Sequence, residues 1–414
     1  MPSCPKQLRQ RRRPGARASA NIRRPGERPG STSPLALPAQ WTPVVTGVAK
    51  ERTLKAAVLF EPKTALSIED IQIDKPGPRE VLIRTVACGV CRSDLHFVDG
   101  AFPHVMPTVP GHEAAGVVEA VGSDVAHLKA GDHVITFFTV FCGSCEMCIT
   151  GRPSLCVDPS TRRAKDASPR ISLKDGTPLA PFLNLSAFAE LMLVHENACV
   201  AIDKEMPLDR AALLGCAVIT GAGSIFNDSR LRPGETVAVI GAGGIGLAAI
   251  NAAKIAGAGQ IIAIDPVADK RALAQKLGAT DVLDATDPDL AKKVIGMTGG
   301  GVHYAIEAVG RPNTAELAWT ILRRGGTATI LGMIAPGNEV KIPGPTFLTG
   351  KKLQGSLLGS TRFPIDMPRL VKLYLDGKLD LDTMVAERIT LDGVNDALQK
   401  LRTGDSVRSV IEFA

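Results

Sequence analysis

Between Glu235 and Asp265 the chain reads ETVAVIGAGGIGLAAINAAKIAGAGQIIAID, and this stretch decides the class of fold. The runs TVAVI and IIAI are apolar at every position, as strands are when helices cover both faces of a parallel sheet. Between them lies an Ala-rich helix opened by Gly241, Gly243 and Gly246 in the spacing G-x-G-x-x-G. The first glycine allows a tight turn, the second lets backbone approach a pyrophosphate, and the third lets helix pack on strand. The helix N-terminus, with Gly244 and Ile245 in its first turn, offers free N–H groups and a partial positive charge to the phosphates. Asp265 ends the second strand nineteen positions after Gly246. A carboxylate there accepts hydrogen bonds from an adenosine ribose and repels a 2′-phosphate, so NAD is expected rather than NADP. The bland alternative is a glycine-rich turn with no ligand. Strand, helix, second strand and acid in one unit stand against it.

Outward from this unit the pattern divides. Downstream, GVHYAIEAVG (301–310) and GTATILGM (326–333) supply further strands, with PNTAELAWTILRRG (312–325) as the helix between. That alternation is a doubly wound α/β sheet. Upstream, KAAVLF, EVLIRTVACGV, EAAGVVEAVGSDV and KAGDHVITFF are closely spaced strands punctuated by turn residues, which suggests a β-rich domain. Beyond Leu358 the chain returns to mixed elements ending in SVRSVIEFA, a tail able to complete the first domain.

A length of 414 residues exceeds one ordinary core, so two domains are expected. Hydrophobic residues at 45% and charged residues at 22% read as globular. No apolar run reaches bilayer length, so no membrane association is expected. The net charge of +6 is unevenly placed: residues 1–50 hold ten Lys or Arg against Glu27, leaving residues 51–414 at −3. A mildly acidic body argues against nucleic-acid binding. Residues 1–52 are basic and rich in Pro and Gly, and are expected to be a disordered extension. A transit peptide is the other reading, but Pro14, Pro25 and Pro29 break the helical period it needs. Nine cysteines, an odd number without a secretory segment, point away from disulfides and toward metal ligation in a cytoplasmic protein.

The densest group is FCGSCEMCITGRPSLC (141–156), which spaces Cys142, Cys145, Cys148 and Cys156 as C-x2-C-x2-C-x7-C. Four thiolates fill a tetrahedral zinc site and leave no open position, so such a site is structural. An iron–sulfur cradle would close with C-x3-C-P, whereas Val157 follows the fourth cysteine here. A redox pair would want a thioredoxin-like setting, which is missing. A second set is dispersed: Cys91, Arg92, Ser93, Asp94 and His96 in GVCRSDLH, His112 and Glu113 in PGHEAAG, and Cys216 in LLGCAVITG. Two thiols and one imidazole leave a fourth position for water or substrate. Singly, each is an ordinary packed cysteine or hydrogen-bonded histidine. Their company with a dinucleotide turn favours a catalytic zinc.

GVCRSD, GHE, the four-cysteine lobe, GCAVITG, GAGGIG and the terminal SVRSVIEF stand in the order and spacing of the zinc-dependent alcohol dehydrogenases of the medium-chain dehydrogenase/reductase superfamily. The chain resembles that family over about residues 53–414. The resemblance implies a GroES-like catalytic domain from residues 53–217 and 358–414, and a Rossmann NAD-binding domain from residues 218–357. It implies two zinc ions per chain: a catalytic one on Cys91, His112 and Cys216, and a structural one on Cys142, Cys145, Cys148 and Cys156. Asp94 would orient the ring of His112, and Glu113 would lie behind the metal. Arg92 and Arg408 would meet the cofactor pyrophosphate, Thr220 the nicotinamide and Lys270 the adenosine ribose. A homodimer or homotetramer is implied as well.

The implied reaction is hydride transfer between NAD and a primary alcohol or aldehyde. Zinc would bring the alcohol pKa toward neutrality, and Ser93 would pass the proton through the cofactor ribose to His96. The resemblance sets Phe138, Phe182 and Leu183 around the substrate, with Phe102 and Met333 near the mouth. That apolar lining suits a medium-chain or aromatic alcohol. Ser93, where some relatives carry a bulkier Thr, leaves room for a ring. The rival is the S-(hydroxymethyl)glutathione (formaldehyde) dehydrogenase branch, which carries an acidic anchor before GHE. Here DGAFPHVMP offers Phe102, with Asp99 close by. From another class, a non-catalytic zinc protein could hold nucleic acid with the basic extension; the full ligand set and the Ser93–His96 relay oppose it. His104, His127, His133, His195 and His303 are expected to have no catalytic part.

Overall fold

Six strands stand side by side in the order Asp281–Leu283, Gln260–Ile264, Thr236–Ile240, Val302–Glu307, Leu322–Ile330, Lys352–Gly355, all parallel. In chain order this is 3-2-1-4-5-6, and the direction of winding reverses between Thr236–Ile240 and Val302–Glu307. Ligands of doubly wound sheets settle in the crevice at that reversal. The computed structural model describes residues 54–163, 167–404 and 408–413. The expected basic extension, residues 1–52, lies outside the described residues.

The strand cores are fully covered, as their unbroken apolar runs demand: Val237 to Ile240 and Ile261 to Ile264 are at most 2% exposed. On one face lies the helix Gly244–Ile255, itself buried from Leu247 to Ala253. Against it packs a longer helical run, Leu208–Ser229. Among the described residues it is the one helix long and apolar enough to cross a membrane, and 83% of its apolar window is buried inside the protein. Pro207 precedes its first turn, where a missing N–H costs nothing. Two π-helical turns interrupt it, Leu214–Val218 and Ser224–Ser229, and the first carries Cys216.

The remaining strands build a second, mostly antiparallel system around Glu80–Gly89. Its order is Cys199–Ala201, His133–Thr136, Ala114–Val121, Glu80–Gly89, Ser409–Glu412, Glu387–Ile389, with Leu191–His195 also pairing Glu80–Gly89. The last strand of the chain thus runs antiparallel to one of the first, Val410 opposite Gly89. That pairing delivers Arg408 to the backbone of Val90, to which its Nη1 donates at 3.1 Å. Three stretches far apart in sequence now meet: the helix Arg92–Val98 after the central strand, His112 before Ala114–Val121, and the π turn at Cys216.

Candidate active site

Asp94 organises the metal-ligand set. The helix Arg92–Val98 starts at Cys91, whose backbone N–H donates to Asp94 Oδ2 at 3.0 Å and closes the first turn. Asp94 Oδ1 accepts from the Gly111 N–H at 3.2 Å and from His112 Nδ1 at 2.7 Å. The second bond puts the ring proton on Nδ1 and turns the Nε2 lone pair loose. Nε2 is buried without a hydrogen-bond partner. One ligand atom each from Cys91, His112 and Cys216 lies within 4.8 Å of the others, all three residues at most 6% exposed. Two buried thiols and an unpartnered imidazole nitrogen fit zinc and leave a fourth direction open; a hard cation such as calcium would want oxygens.

The two thiols share one proton unequally. Cys91 is pulled well below the ordinary thiol range by its hydrogen bond with Cys216, against burial, with Arg408 and His112 adding to the pull. Cys216, the partner that keeps the shared proton, goes well up. Arg408 is 4% exposed and stands 3.2 Å from Glu113 Oε2, a carboxyl directly behind His112. Burial pushes Glu113 up to about 8, while Arg408 opposes the rise.

The glycine turn lies across a cleft from these ligands. Gly241 adopts φ +95°, and a Cβ on Gly246 would stand 1.8 Å from the Gly241 carbonyl oxygen. Both therefore need glycine. A Cβ on Gly244 would meet Arg408 Nη2 at 2.2 Å, so the guanidinium rests on the opening of the helix. Cys91, Arg92, Ser93 and His96 line the cleft from one side, Gly243, Gly244, Ile245, Lys270 and Met333 from the other, and Arg408 joins them. Arg92 is fixed by a 2.5 Å bond from Nη2 to the Leu401 carbonyl. Ser93 and His96 are three apart on one helix and so share a face. Burial, then the charge of Arg92, hold His96 below its usual 6.5, so it is neutral and able to accept a proton.

Two expected cofactor residues stand back from the cleft lining. Asp265 is 6% exposed, and its oxygens accept from the Ala242 and Val267 N–H groups at 2.8 and 2.9 Å. It ties the glycine turn to the second strand, a role that its position alone did not announce. Thr220, one turn after Cys216, donates to the Cys216 carbonyl at 2.7 Å. Ala308, Val309, Leu331 and Gly332 also line the cleft and were missed, since they carry no signal beyond ending their strands.

The expected substrate residues form an aromatic wall. The rings of Phe138 and Phe182 stand 5.9 and 6.2 Å from that of His112. Phe97, which sequence reasoning passed over, packs edge-on to Phe182 at 5.0 Å and lies 5.9 Å from Phe102, itself 5.9 Å from His96. His104 packs edge-on against Phe97 and Phe182. Leu183 sits in the left-handed region at φ 46°. Asp99, the sole candidate anchor for a glutathione adduct, is taken by Arg402 at 2.6 and 3.0 Å.

The four lobe cysteines come within 4.8 Å of one another. The pairs Cys142–Cys148 and Cys145–Cys156 are 3.9 and 3.8 Å apart, whereas four sulfurs tetrahedrally around zinc at 2.3 Å would stand about 3.8 Å apart. Backbone N–H groups of Ser144 and Cys145 point at Cys142 Sγ and bring that thiol down to about 7. The lobe fits zinc.

Residues 77–204 match the family model described as an alcohol dehydrogenase GroES-like domain, and residues 244–376 that of a zinc-binding dehydrogenase. Among solved structures, an alcohol dehydrogenase zinc-binding domain protein from Burkholderia ambifaria is 35% identical, with 88% of this chain and 99% of that one covered and a TM-score of 0.84. Benzyl alcohol dehydrogenase from Acinetobacter calcoaceticus is 32% identical over 88% of this chain and all of its own, with a TM-score of 0.82. A zinc-binding dehydrogenase from Sinorhizobium meliloti 1021 bound to NADP is 27% identical over 87% and 99%, with a TM-score of 0.73. The chain belongs to the zinc-dependent alcohol dehydrogenases of the medium-chain dehydrogenase/reductase superfamily.

Proposed function

We propose that this dehydrogenase interconverts aromatic or medium-chain primary alcohols and their aldehydes, using NAD. The observation that carries the reading is the aromatic wall against His112, whose buried Nε2 has no hydrogen-bond partner and lies beside the thiols of Cys91 and Cys216. The 32% identity to a benzyl alcohol dehydrogenase supports the substrate class. Asp265, although its oxygens are held by the Ala242 and Val267 N–H groups, keeps a carboxyl at the end of the second strand, the position that disfavours a 2′-phosphate and so supports NAD.

Cys91, His112 and Cys216 would hold a catalytic zinc, which supplies a Lewis acid for the substrate oxygen. Cys142, Cys145, Cys148 and Cys156 would hold a structural one. NAD, when bound, accepts the hydride. The chain's own residues do the rest. Asp94 keeps the His112 proton on Nδ1 and so keeps Nε2 a ligand. Arg92 and Arg408 present positive charge to the cleft beside the helix N-terminus and would hold a pyrophosphate there. Ser93 and the neutral His96 carry the alcohol proton outward along one helix face.

The test is NADH formation by the purified, zinc-loaded protein with ethanol, hexanol, benzyl and cinnamyl alcohols, a secondary alcohol, and formaldehyde with glutathione. The expected result is the highest kcat/KM with the ring or longer primary alcohols, and far weaker reaction with NADP. Turnover confined to the glutathione adduct would overturn the substrate reading.

A further inference from the structure

We propose that Asn184 is a specificity-determining positioning residue, whose side-chain amide ties together the two aromatic walls beside His112 so that they favour flat ring alcohols. The proposal rests on the alcohol dehydrogenase reading above. Residues 182–186 hold three non-glycine residues in the left-handed region: Leu183 at φ 46°, Asn184 at 62° and Ser186 at 56°. Asparagine tolerates that conformation, whereas leucine and serine adopt it at a cost. Such a segment persists only where its surroundings hold it.

Beside the Leu185 and Ser186 N–H groups, which donate to the Phe182 carbonyl, two side-chain hydrogen bonds hold it. The Phe182 N–H donates to Ser186 Oγ at 2.9 Å and closes the loop on itself. Asn184 Nδ2 donates to the Phe138 carbonyl, also at 2.9 Å, across a separation of 46 residues. Phe138 and Phe182 are the residues whose phenyl rings stand against His112, at 5.9 and 6.2 Å. Asn184 therefore links the backbone of one ring to the loop that carries the other. Asn184 and Phe138 also line one cavity of about 300 Å³ that runs toward the four-cysteine lobe. The amide acts through the spacing of the rings, so it sets which shape fits between them without meeting the reacting atoms.

Two substitutions separate the tie from the backbone. Asn184→Gly keeps the positive φ without strain and removes the amide. Asn184→Asp keeps the shape but turns an acceptor toward the Phe138 carbonyl. The full-length, zinc-loaded protein is assayed with NAD on benzyl alcohol and on cyclohexylmethanol, which is of similar size but not flat. Wild type is expected to prefer benzyl alcohol. Both variants are expected to lose about tenfold of that preference in kcat/KM, the worth of one net hydrogen bond. The loss should come through KM for benzyl alcohol, with kcat and zinc content kept and the melting temperature lowered by no more than a few degrees. Preference kept within twofold in both variants, or an equal fall with both alcohols, overturns the proposal. A wild type that oxidises neither alcohol overturns the functional reading first, which sets that failure apart.

Discussion

Asp94 shows how much a single carboxylate can settle. It closes the first turn of its helix, accepts from the backbone before His112 and fixes the tautomer of the ring, all in one buried place. His96, two residues on, is held toward its neutral form, since burial and then Arg92 disfavour its charged form. The sign of the pH effect follows. With its pKa below 6.5, His96 is neutral at pH 7 and can take the alcohol proton; it loses that capacity only as the pH falls through its lowered pKa. Alcohol oxidation should therefore show an acid limb below pH 6.5. His96→Gln should remove the limb and slow turnover at pH 7 by about tenfold, less than a fully enclosed proton acceptor contributes, because water reaches a half-buried site. A kcat profile from pH 5 to 9 on both proteins checks this, and an unchanged limb in the variant would remove His96 from the proton path.

At the scale of elements, the parts of the fold differ in how openly the chain displays them. The glycine turn is written in consecutive letters, because Gly241 and Gly246 meet each other within one strand–helix junction. The four-cysteine lobe is equally local, closing within fifteen positions through turns of its own. Two of its sulfur pairs stand at the spacing that a tetrahedral zinc site needs. Cys148→Ser should cut the zinc content from two ions per chain to one. It should also lower the melting temperature by several degrees, as expected when about 1–3 kcal/mol of lobe stability is lost. Atomic absorption with thermal melts decides this; two retained zinc ions would reject the structural assignment. The helical run Leu208–Ser229 is different. Its composition is that of a membrane span, and only its packing against the glycine-turn helix shows that it is core. The π turn that presents Cys216 has no local signature either.

At the scale of the whole molecule, the cleft's lining among the described residues runs from Cys91 to Arg408. Removing residues 1–50 takes the net charge from +6 to −3. It should leave kcat and KM within twofold of the full chain while weakening any retention on a cation-exchange resin. Steady-state kinetics of the two forms decide the matter, and a large loss of activity would show that those residues serve the site.

The chain alone made legible whatever depends on neighbours in sequence: the turn at Gly241, the lobe cysteines, the ligand types at Cys91, His112 and Cys216, and the doubly wound class of fold. These rest on periodicity and on side-chain chemistry at short spacing, which no distant residue alters. Long-range pairing decided the rest. Arg408 reaches Glu113 and Gly244 because the final strand pairs with Glu80–Gly89. Asp99 is withdrawn from the pocket by Arg402, 303 positions away. Asn184 finds Phe138 across 46, and Asp265 spends its oxygens on the backbone of the turn it faces. For Asn184 and Asp265 the partner is a backbone donor or acceptor that would otherwise go unpaired inside the fold, and for all of them the meeting exists only once the sheets have closed.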